Sequence, residues 1–375
     1  MKTMKTNILS ALVGLSTLAG SASAPAASTR WSVDQANAWQ KKHGWLVGCN
    51  FLPSTAINQL EMWQADSFDL PAIDRELGWA ESIGFNSMRV YLHHMLWEAD
   101  APGFLKRMDQ FLEVANRHKI GVMFVLFDSC WDPFPQLGKQ RAPKPHVHNS
   151  GWVQSPGARV LRDPSKHAAL RDYAVGVVKR FRDDSRIHAW DVWNEPDNPN
   201  TSAYGKVELP NKAELVLPLL KQAFAWAREA NPTQPLTSGV WIGTWPDPEK
   251  LTATERAQLE NSDIISFHNY STPDSLRQCV DNLRRYNRPL LCTEYMSRGN
   301  GSFFEPHLAY LKAQGVAAYN WGLVSGKSQT IYPWDSWTKT YTAEPELWFH
   351  DIFRADGTPY RRAEVEYIRG HTRRP

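Results

Sequence analysis

Short apolar runs alternate with longer amphipathic stretches along most of the chain. The runs are five to seven residues long and rich in β-favouring side chains, whereas the stretches repeat their apolar positions at helical spacing. The predicted strands span residues 45–51, 87–92, 121–127, 187–193, 236–241, 264–268, 289–294 and 316–321. The predicted helices span residues 69–83, 104–115, 165–181, 212–230, 273–285, 304–314 and 360–369.

This alternation predicts a parallel sheet with helices outside it, and eight units predict a closed barrel. A doubly wound open sheet is the competing architecture. It is less consistent with the sequence, because no glycine-rich phosphate loop follows any predicted strand. We therefore expect the α/β class and a (β/α)8 TIM barrel formed by a single domain.

The longest irregular segment, residues 128–163, follows the third predicted strand and contains five prolines. Loops of this length inside a compact domain are usually functional or disordered, and the aromatic residues of this one argue against disorder. Its basic residues are Lys139, Arg141, Lys144, His146 and His148. They could meet an anionic ligand, or they could simply be solvated.

The first 24 residues have the features of a secretory signal peptide. Lys2 and Lys5 precede an apolar run too short to span a bilayer, and Ala22-Ser23-Ala24 is a typical cleavage site. We expect residues 25–375 to form the mature barrel domain, secreted or periplasmic and without a membrane span.

Composition excludes some partners. Removing the two lysines of the leader from 42 basic residues leaves 40 against 39 acidic ones, and there is no basic run, so nucleic acid is not an expected partner.

Four cysteines do not make a disulfide scaffold; a Cys279–Cys292 bridge and buried free thiols are both open. Seventeen tryptophans are typical of a protein that uses indoles as platforms for sugar rings. We expect a monomer.

Glu195 follows the fourth predicted strand in the tripeptide Asn194-Glu195-Pro196. Catalytic carboxylates of barrel enzymes lie at the carboxyl ends of strands. The following proline is expected to hold Glu195 in an extended conformation. Glu294 ends the seventh predicted strand in the same way.

Other polar and aromatic residues fall at the same end of the predicted barrel. Each has an ordinary structural interpretation by itself, and their coincidence on one rim favours a site. The candidates for binding substrate are Asn50, Arg89, Asp128, Trp131, Asn194, His268, Tyr270 and Trp321.

Two glutamates facing each other across a small barrel suit glycoside cleavage. One carboxylic acid protonates the leaving oxygen, and the other carboxylate attacks the anomeric carbon or activates water. A separation of roughly 5 Å allows direct attack and retention, whereas about 6.5–9.5 Å leaves room for water and inversion. Arg89 is expected to keep Glu294 ionised, while apolar neighbours and the opposing carboxylate are expected to keep Glu195 protonated.

Four motifs resemble those of the clan A glycoside hydrolases, most closely family 5, the cellulase and mannanase group. They are Asn194-Glu195-Pro196, Phe267-His268-Asn269-Tyr270, Cys292-Thr293-Glu294-Tyr295 and Asn320-Trp321-Gly322. The resemblance covers all eight predicted barrel units, with the motifs in the family's order.

The resemblance implies a retaining, double-displacement β-glycoside hydrolase without a cofactor or metal. Glu195 corresponds to the general acid/base and Glu294 to the nucleophile. Asn194 corresponds to the ligand of the sugar 2-hydroxyl, and Arg89 supports the nucleophile. His268 and Tyr270 correspond to the sixth-strand pair, with Tyr270 beside the nucleophile, and Trp321 to the floor of the −1 subsite. The chain departs from many members in carrying Trp193 and Asp128-Ser129-Cys130 where other polar types stand.

A β-linked glucan, mannan, xylan or galactan, or an oligosaccharide derived from one, is the expected substrate class. The basic residues of the loop after the third predicted strand could meet a uronate-bearing polysaccharide. Endo and exo action both stay open. A non-catalytic carbohydrate-binding barrel is the alternative of a different class, but it would not need both glutamates. A transglycosylase would use the same residues, and a metal-dependent hydrolase is disfavoured because the His-Glu-x-x-His motif is missing.

Overall fold

The computed structural model describes residues 29–372. The predicted signal peptide lies outside these residues. The strands are β1 (Val47–Asn50), β2 (Ser87–Tyr91), β3 (Gly121–Asp128), β4 (Ile187–Asn194), β5 (Leu236–Thr237), β6 (Ile265–His268), β7 (Leu290–Tyr295) and β8 (Ala317–Trp321). The helices are α1 (Val33–His43), α2 (Gln59–Trp63), α3 (Leu70–Ser82), α4 (His94–Arg117), α5 (Ala158–Leu161), α6 (His167–Phe181), α7 (Lys212–Glu229), α8 (Ala253–Asn261), α9 (Pro273–Leu283), α10 (Phe304–Ala313) and α11 (Arg362–Thr372).

The eight strands are parallel and form a nearly closed barrel. Hydrogen-bonded pairing runs in the order β5-β4-β3-β2-β1-β8-β7-β6. The remaining gap, between β5 and β6, is bridged at Val240, whose N–H donates to the carbonyl of Ser266 (3.2 Å) and whose carbonyl accepts from the N–H of His268 (3.0 Å). The predicted TIM barrel is therefore confirmed.

The fifth strand is shorter than the predicted 236–241. Only Leu236 and Thr237 pair with β4, because the chain then leaves β4 and Val240 turns to β6 instead. The period of side chains along a strand is the same whichever neighbour it pairs with, so the pattern alone does not reveal such a switch.

Some helices were not predicted. Helix α8 has a polar sequence without an apolar stripe, although Thr252 and Glu255 form a capping box at its start. Helix α1 lies at the amino-terminal end of the barrel, where the indole of Trp39 donates to the carbonyl of His188 (3.1 Å). Helix α4 begins ten residues before the predicted start, with a break at Asp100.

Two long loops lie above the carboxyl ends of the strands. The β3 loop, residues 129–157, is the irregular segment predicted from the sequence. The β8 loop, residues 322–361, was not singled out. The two are bonded to each other: the N–H of Asn149 donates to the carbonyl of Ser328 (2.8 Å), and the indole of Trp337 donates to the carbonyl of His148 (2.9 Å).

The four cysteines are free thiols, and all are buried. Of the two possibilities that the sequence left open, the structure therefore has free thiols and no Cys279–Cys292 bridge. Within residues 29–372, no helix is both long enough and apolar enough to cross a bilayer.

Candidate active site

Glu294 lies near the end of β7 and is 4% exposed. One carboxylate oxygen, Oε1, accepts hydrogen bonds from Nη1 of Arg89 (2.8 Å) and the hydroxyl of Tyr91 (2.9 Å). The other, Oε2, accepts one from the hydroxyl of Tyr270 (2.8 Å). Hydrogen bonds from a cation and two hydroxyl groups hold this buried carboxylate in a fixed orientation.

Arg89 connects the strands beneath the site. Its guanidinium is fully buried, and its Nε and Nη2 donate to one oxygen of Asp191 on β4 (3.0 and 2.8 Å). Nη2 also donates to Asn194 (2.7 Å), and Nη1 to Asn50 on β1 (2.8 Å). Because the guanidinium presents its donors in a rigid fork, one residue sets the geometry of β1, β2, β4 and β7 together.

Glu195 lies just past the end of β4 and is held differently. Its Oε1 accepts from Nδ1 of His268 (2.8 Å), and its Oε2 accepts from the amide of Asn198 (2.6 Å) and the thiol of Cys130 (3.2 Å). The prediction of an extended Glu195 is wrong, since its φ is +41°. This left-handed conformation is costly for a residue with a Cβ. Because of this conformation, the side chain of Glu195 does not follow the alternation of side chains along β4, whereas Asn194 is still part of the strand.

The protonation expected for Glu195 is also wrong for the unliganded protein. Burial raises the pKa of Glu195, but the hydrogen bond and charge of His268, with the donors Cys130 and Asn198, lower the pKa by more. These three donors outweigh burial and the opposing carboxylate, and their contacts with Glu195 are not visible in the sequence. A substrate oxygen that replaces one of them would raise the pKa again.

The two carboxylates lie close together. Nδ1 of His268 is 2.8 Å from Oε1 of Glu195 and 3.6 Å from Oε2 of Glu294. One ligand atom from each of the three residues lies within 4.8 Å of the others. Such a group could hold a cation by geometry, but the guanidinium of Arg89 already neutralises Glu294 and would repel a metal ion.

Three candidate substrate ligands lie one layer below the cleft. Asn50 and Arg89 bond each other, and Asp128 accepts from the amide of Asn194 (2.9 Å) and the indole of Trp152 (2.6 Å). Burial raises the pKa of Asp128 to about 6. These three side chains therefore support the residues that line the cleft and do not line it themselves.

The other predicted site residues line one cleft of about 730 Å³. They are Trp131, Asn194, Glu195, His268, Tyr270, Glu294 and Trp321. Trp152, Trp241 and Trp334 add further aromatic surface. Trp131 has φ +70° and stacks on Trp337, with ring centroids 5.8 Å apart. Flat apolar walls with a few convergent polar groups are typical of a ligand-binding cleft.

The basic residues of the β3 loop do not form a free positive patch. Arg141 is paired with Asp132 (2.7 Å), and the ammonium of Lys144 lies over the ring of Trp337 (4.6 Å from its centroid). His148 is buried, and burial lowers its pKa to about 4. The interpretation of this cluster as a uronate site gains no support from these contacts.

Four residues that bond the candidate site were not named from the sequence as site residues. Tyr91 follows Arg89 by two residues on β2, so strand alternation could have placed it on the same face. Asp191 precedes Asn194 on β4 and was interpreted only as part of a strand. Asn198 and the contact of Cys130 with Glu195 depend on how two loops meet, and no local pattern indicates that.

Solved structures with the same fold include three enzymes of known activity. The β-1,4-mannanase of the sea hare Aplysia kurodai superposes with a TM-score of 0.52 at 16% identity, covering 74% of this chain and 87% of that one. The endo-β-1,4-mannanase of Thermotoga petrophila gives 0.54 at 14% identity, covering 89% and 77%. The exo-β-1,4-mannosidase of Opitutaceae bacterium strain TAV5 gives 0.57 at 18% identity, covering 88% and 59%.

At these identities the solved structures show the shared fold alone. A comparison with curated protein sequences finds no significant match. The family model of the cellulases of glycosyl hydrolase family 5 matches residues 79–340, which is more than half of the chain and includes both glutamates and the strands that hold them. The protein therefore belongs to glycosyl hydrolase family 5 and is a glycoside hydrolase.

Proposed function

We propose that the protein is a retaining β-glycoside hydrolase in which Glu294 is the nucleophile and Glu195 the general acid/base. The observation that carries the proposal is the closeness of the two carboxylates, with an oxygen of each inside a group of atoms no more than 4.8 Å apart. Retaining enzymes need a carboxyl separation of about 5–5.5 Å, and inverting ones need more room for water.

In the first step Glu294 Oε2 or Oε1 attacks the anomeric carbon as the bond to the leaving oxygen breaks. Glu195 gives its proton to that oxygen, so the departing sugar leaves as a neutral alcohol. In the second step the ionised Glu195 takes a proton from water, which attacks the anomeric carbon and releases Glu294. The two inversions restore the β configuration.

The environments of the two glutamates support this division of roles. Glu294 has a buried cation 2.8 Å from it and two phenolic donors, which hold its oxygens in position for attack. Glu195 faces the cleft near His268 and Asn198, where a leaving oxygen can replace the amide donor. Asn194, oriented by Arg89 and Asp128, is proposed to bind the sugar 2-hydroxyl, and Trp321 to form the floor beneath the sugar.

The proposed substrate is a β-linked polysaccharide or oligosaccharide of the glucan, mannan, xylan or galactan type. The named activities of the structural neighbours make β-1,4-mannan the first substrate to try. We further propose that a signal peptide is removed after Ala24, that the protein acts outside the cytoplasm, and that it is a monomer. Intact mass of the exported protein and light scattering test these three statements.

The test of function is a panel of β-glucans, mannans, xylans, galactans and aryl glycosides, with the first-formed anomer followed by NMR. We expect the β-anomer first, and its loss in Glu195→Gln and Glu294→Gln. Glu76→Gln is the matched control, because Glu76 is also a buried glutamate but lies outside the cleft. A first-formed α-anomer, or hydrolysis that survives Glu294→Gln, would contradict the mechanism. Binding without turnover would favour a non-catalytic barrel.

A further inference from the structure

Two histidines from the two long loops meet in the wall of the cleft. His148 belongs to the β3 loop and His350 to the β8 loop, and their ring centroids are 5.4 Å apart. Both line the cleft, although they are only 2% and 1% exposed. Neither has a place in the proposed two-glutamate chemistry. We call these two residues the acceptor pair, because each offers a nitrogen that can accept a hydrogen bond.

The backbone determines the tautomer of both rings. Nδ1 of His148 lies 2.7 Å from the carbonyl oxygen of Tyr332, and Nδ1 of His350 lies 2.6 Å from the carbonyl oxygen of Met296. A carbonyl oxygen can only accept, so each Nδ1 has to carry the hydrogen. Burial lowers the pKa of His148 to about 4 and that of His350 well below its ordinary value. Both rings are therefore neutral at ordinary pH, and each Nε2 holds a free lone pair.

Both Nε2 atoms remain available to a ligand. Among residues 29–372 neither has a hydrogen-bond partner, and neither is among the polar atoms sealed from solvent. The ring of His350 lies 5.6 Å from that of Tyr270, which donates to Glu294, and the ring of His148 lies 5.5 Å from that of Trp131. The two rings thus form a row in the wall of the cleft that leads from Tyr270, beside Glu294, to Trp131.

We propose that His148 and His350 form a subsite that accepts hydrogen bonds from hydroxyl groups of an uncharged sugar residue and discriminates against a uronate. A neutral sugar brings hydroxyl donors to both nitrogens. A carboxylate brings only acceptors, which would face two lone pairs. The nearby Arg298 cannot neutralise it, because its guanidinium is paired with Glu364 and bonded to the carbonyls of residues 348, 350 and 351. The inference deepens the proposed function, on which the identification of the ligand as a sugar rests.

The test measures ligand binding by titration calorimetry in the mature protein carrying Glu195→Gln, which keeps the ligand intact if the proposed mechanism holds. The ligands are β-1,4-mannotetraose, cellotetraose and a β-1,4-linked mannuronate tetramer. His148→Leu and His350→Leu should each weaken binding of the better neutral tetramer about fivefold to tenfold, the effect of one hydrogen bond. The mannuronate tetramer should bind the unsubstituted pair at least about tenfold more weakly than mannotetraose.

His188→Leu is the matched control. His188 is also a neutral imidazole, partly buried and with its pKa lowered to about 3 by burial, but it lies at the amino-terminal end of β4, away from the cleft. Its substitution should leave the affinity unchanged. Unchanged affinity in both acceptor-pair variants, equal binding of the mannuronate tetramer, or no binding of either neutral tetramer would overturn the subsite.

Long-range proton–nitrogen NMR spectra of the wild-type protein provide a second measurement that does not depend on the variants folding. Nε2 of both rings should show the shift of an unprotonated nitrogen, and it should move when mannotetraose is added. A proton on either Nε2 in the free protein would contradict the inference. Hydrolysis of the ligand by the Glu195→Gln protein would instead contradict the proposed role of Glu195, and the spectra would still decide the subsite.

Discussion

The two glutamates of the cleft are buried to a similar degree but are held by different parts of the molecule. Glu294 takes its hydrogen bonds from Arg89 and Tyr91 on β2 and from Tyr270 just past β6. Glu195 takes two of its three from loop residues, Cys130 and Asn198. The barrel itself therefore fixes the proposed nucleophile, whereas the loops adjust the proposed acid/base.

The loops around Glu195 have their own support. The ammonium of Lys212, at the start of α7, donates to the carbonyls of Ser129 (2.7 Å) and Asn198 (2.9 Å) and to the carboxylate of Glu208 (2.7 Å). This buried ion pair joins the β3 loop to the loop after β4. The position of the donors to Glu195 thus depends on a contact that the barrel strands do not supply.

The largest expected effect is the loss of turnover when either glutamate is replaced, and it should differ between the two glutamates. Glu294→Gln should reduce turnover about 10⁴-fold or more on every glycoside, because no covalent intermediate can form. Glu195→Gln should reduce turnover of polysaccharide roughly 10²–10⁴-fold. It should slow the first step with an aryl glycoside far less, because the leaving phenol needs no proton. Stopped-flow release of the phenol measures the first step. Equal losses of activity of Glu195→Gln on polysaccharide and on aryl glycoside would contradict the role of Glu195 as the acid.

The strand residues that hold Glu294 should also contribute more to the stability of the fold than the loop residues that hold Glu195. Arg89→Met leaves Asp191 and Glu294 buried without their cation, and we expect the free energy of unfolding to fall by roughly 3–5 kcal/mol. Asn198→Ala on the loop side should cost about 1 kcal/mol. Urea unfolding measures both. Adding Asp191→Asn to Arg89→Met should recover part of the loss, and no recovery would show that the buried charge is not its cause.

A smaller effect concerns the ion pair beneath the loops. Lys212→Met combined with Glu208→Gln leaves no unpaired charge, so the fold should persist while the donors to Glu195 lose their support. We expect kcat to fall about tenfold, since small misplacement of catalytic groups is costly, with little change in KM. Lys250→Met with Asp247→Gln, at an exposed pair, is the control. A change in KM alone would place the effect in substrate binding instead.

The smallest effect is a shift in pH dependence. In the proposed mechanism Glu195 is protonated for the first step, and its pKa is lowered in the free protein. The decrease of kcat/KM with rising pH should therefore occur at a lower pH than the decrease of kcat. Asn198→Ala removes a donor that stabilises the carboxylate. It should therefore raise the pKa of Glu195 and move the descending limb of kcat/KM to higher pH.

Asn37→Ala, on α1 at the opposite end of the barrel, is the control for that shift. A descending limb that stays in place in Asn198→Ala would assign it to another group.

Much of this arrangement could be predicted because it depends on local patterns. Alternating apolar runs and amphipathic stretches determined the barrel, and parallel strands bring their carboxyl ends to one rim. That is why Arg89, Glu294 and Tyr270 could be named together before any contact was known. The strand-held half of the site was predictable for the same reason.

Only the tertiary structure decided the rest. The left-handed backbone of Glu195 and the tautomers of His148 and His350 arise where segments far apart in the chain meet. The pKa of Glu195 is lowered first by His268 at the end of β6 and then by the loop residues Cys130 and Asn198. His148 and the carbonyl of Tyr332 that orients it are 184 residues apart. Side-chain periodicity reports on neighbours along one strand or helix and carries no information about such meetings. The sequence by itself therefore determined the barrel and the rim that carries the glutamates. The tertiary contacts of strand ends and loops decided the protonation of Glu195 and the hydrogen-bonding character of the cleft.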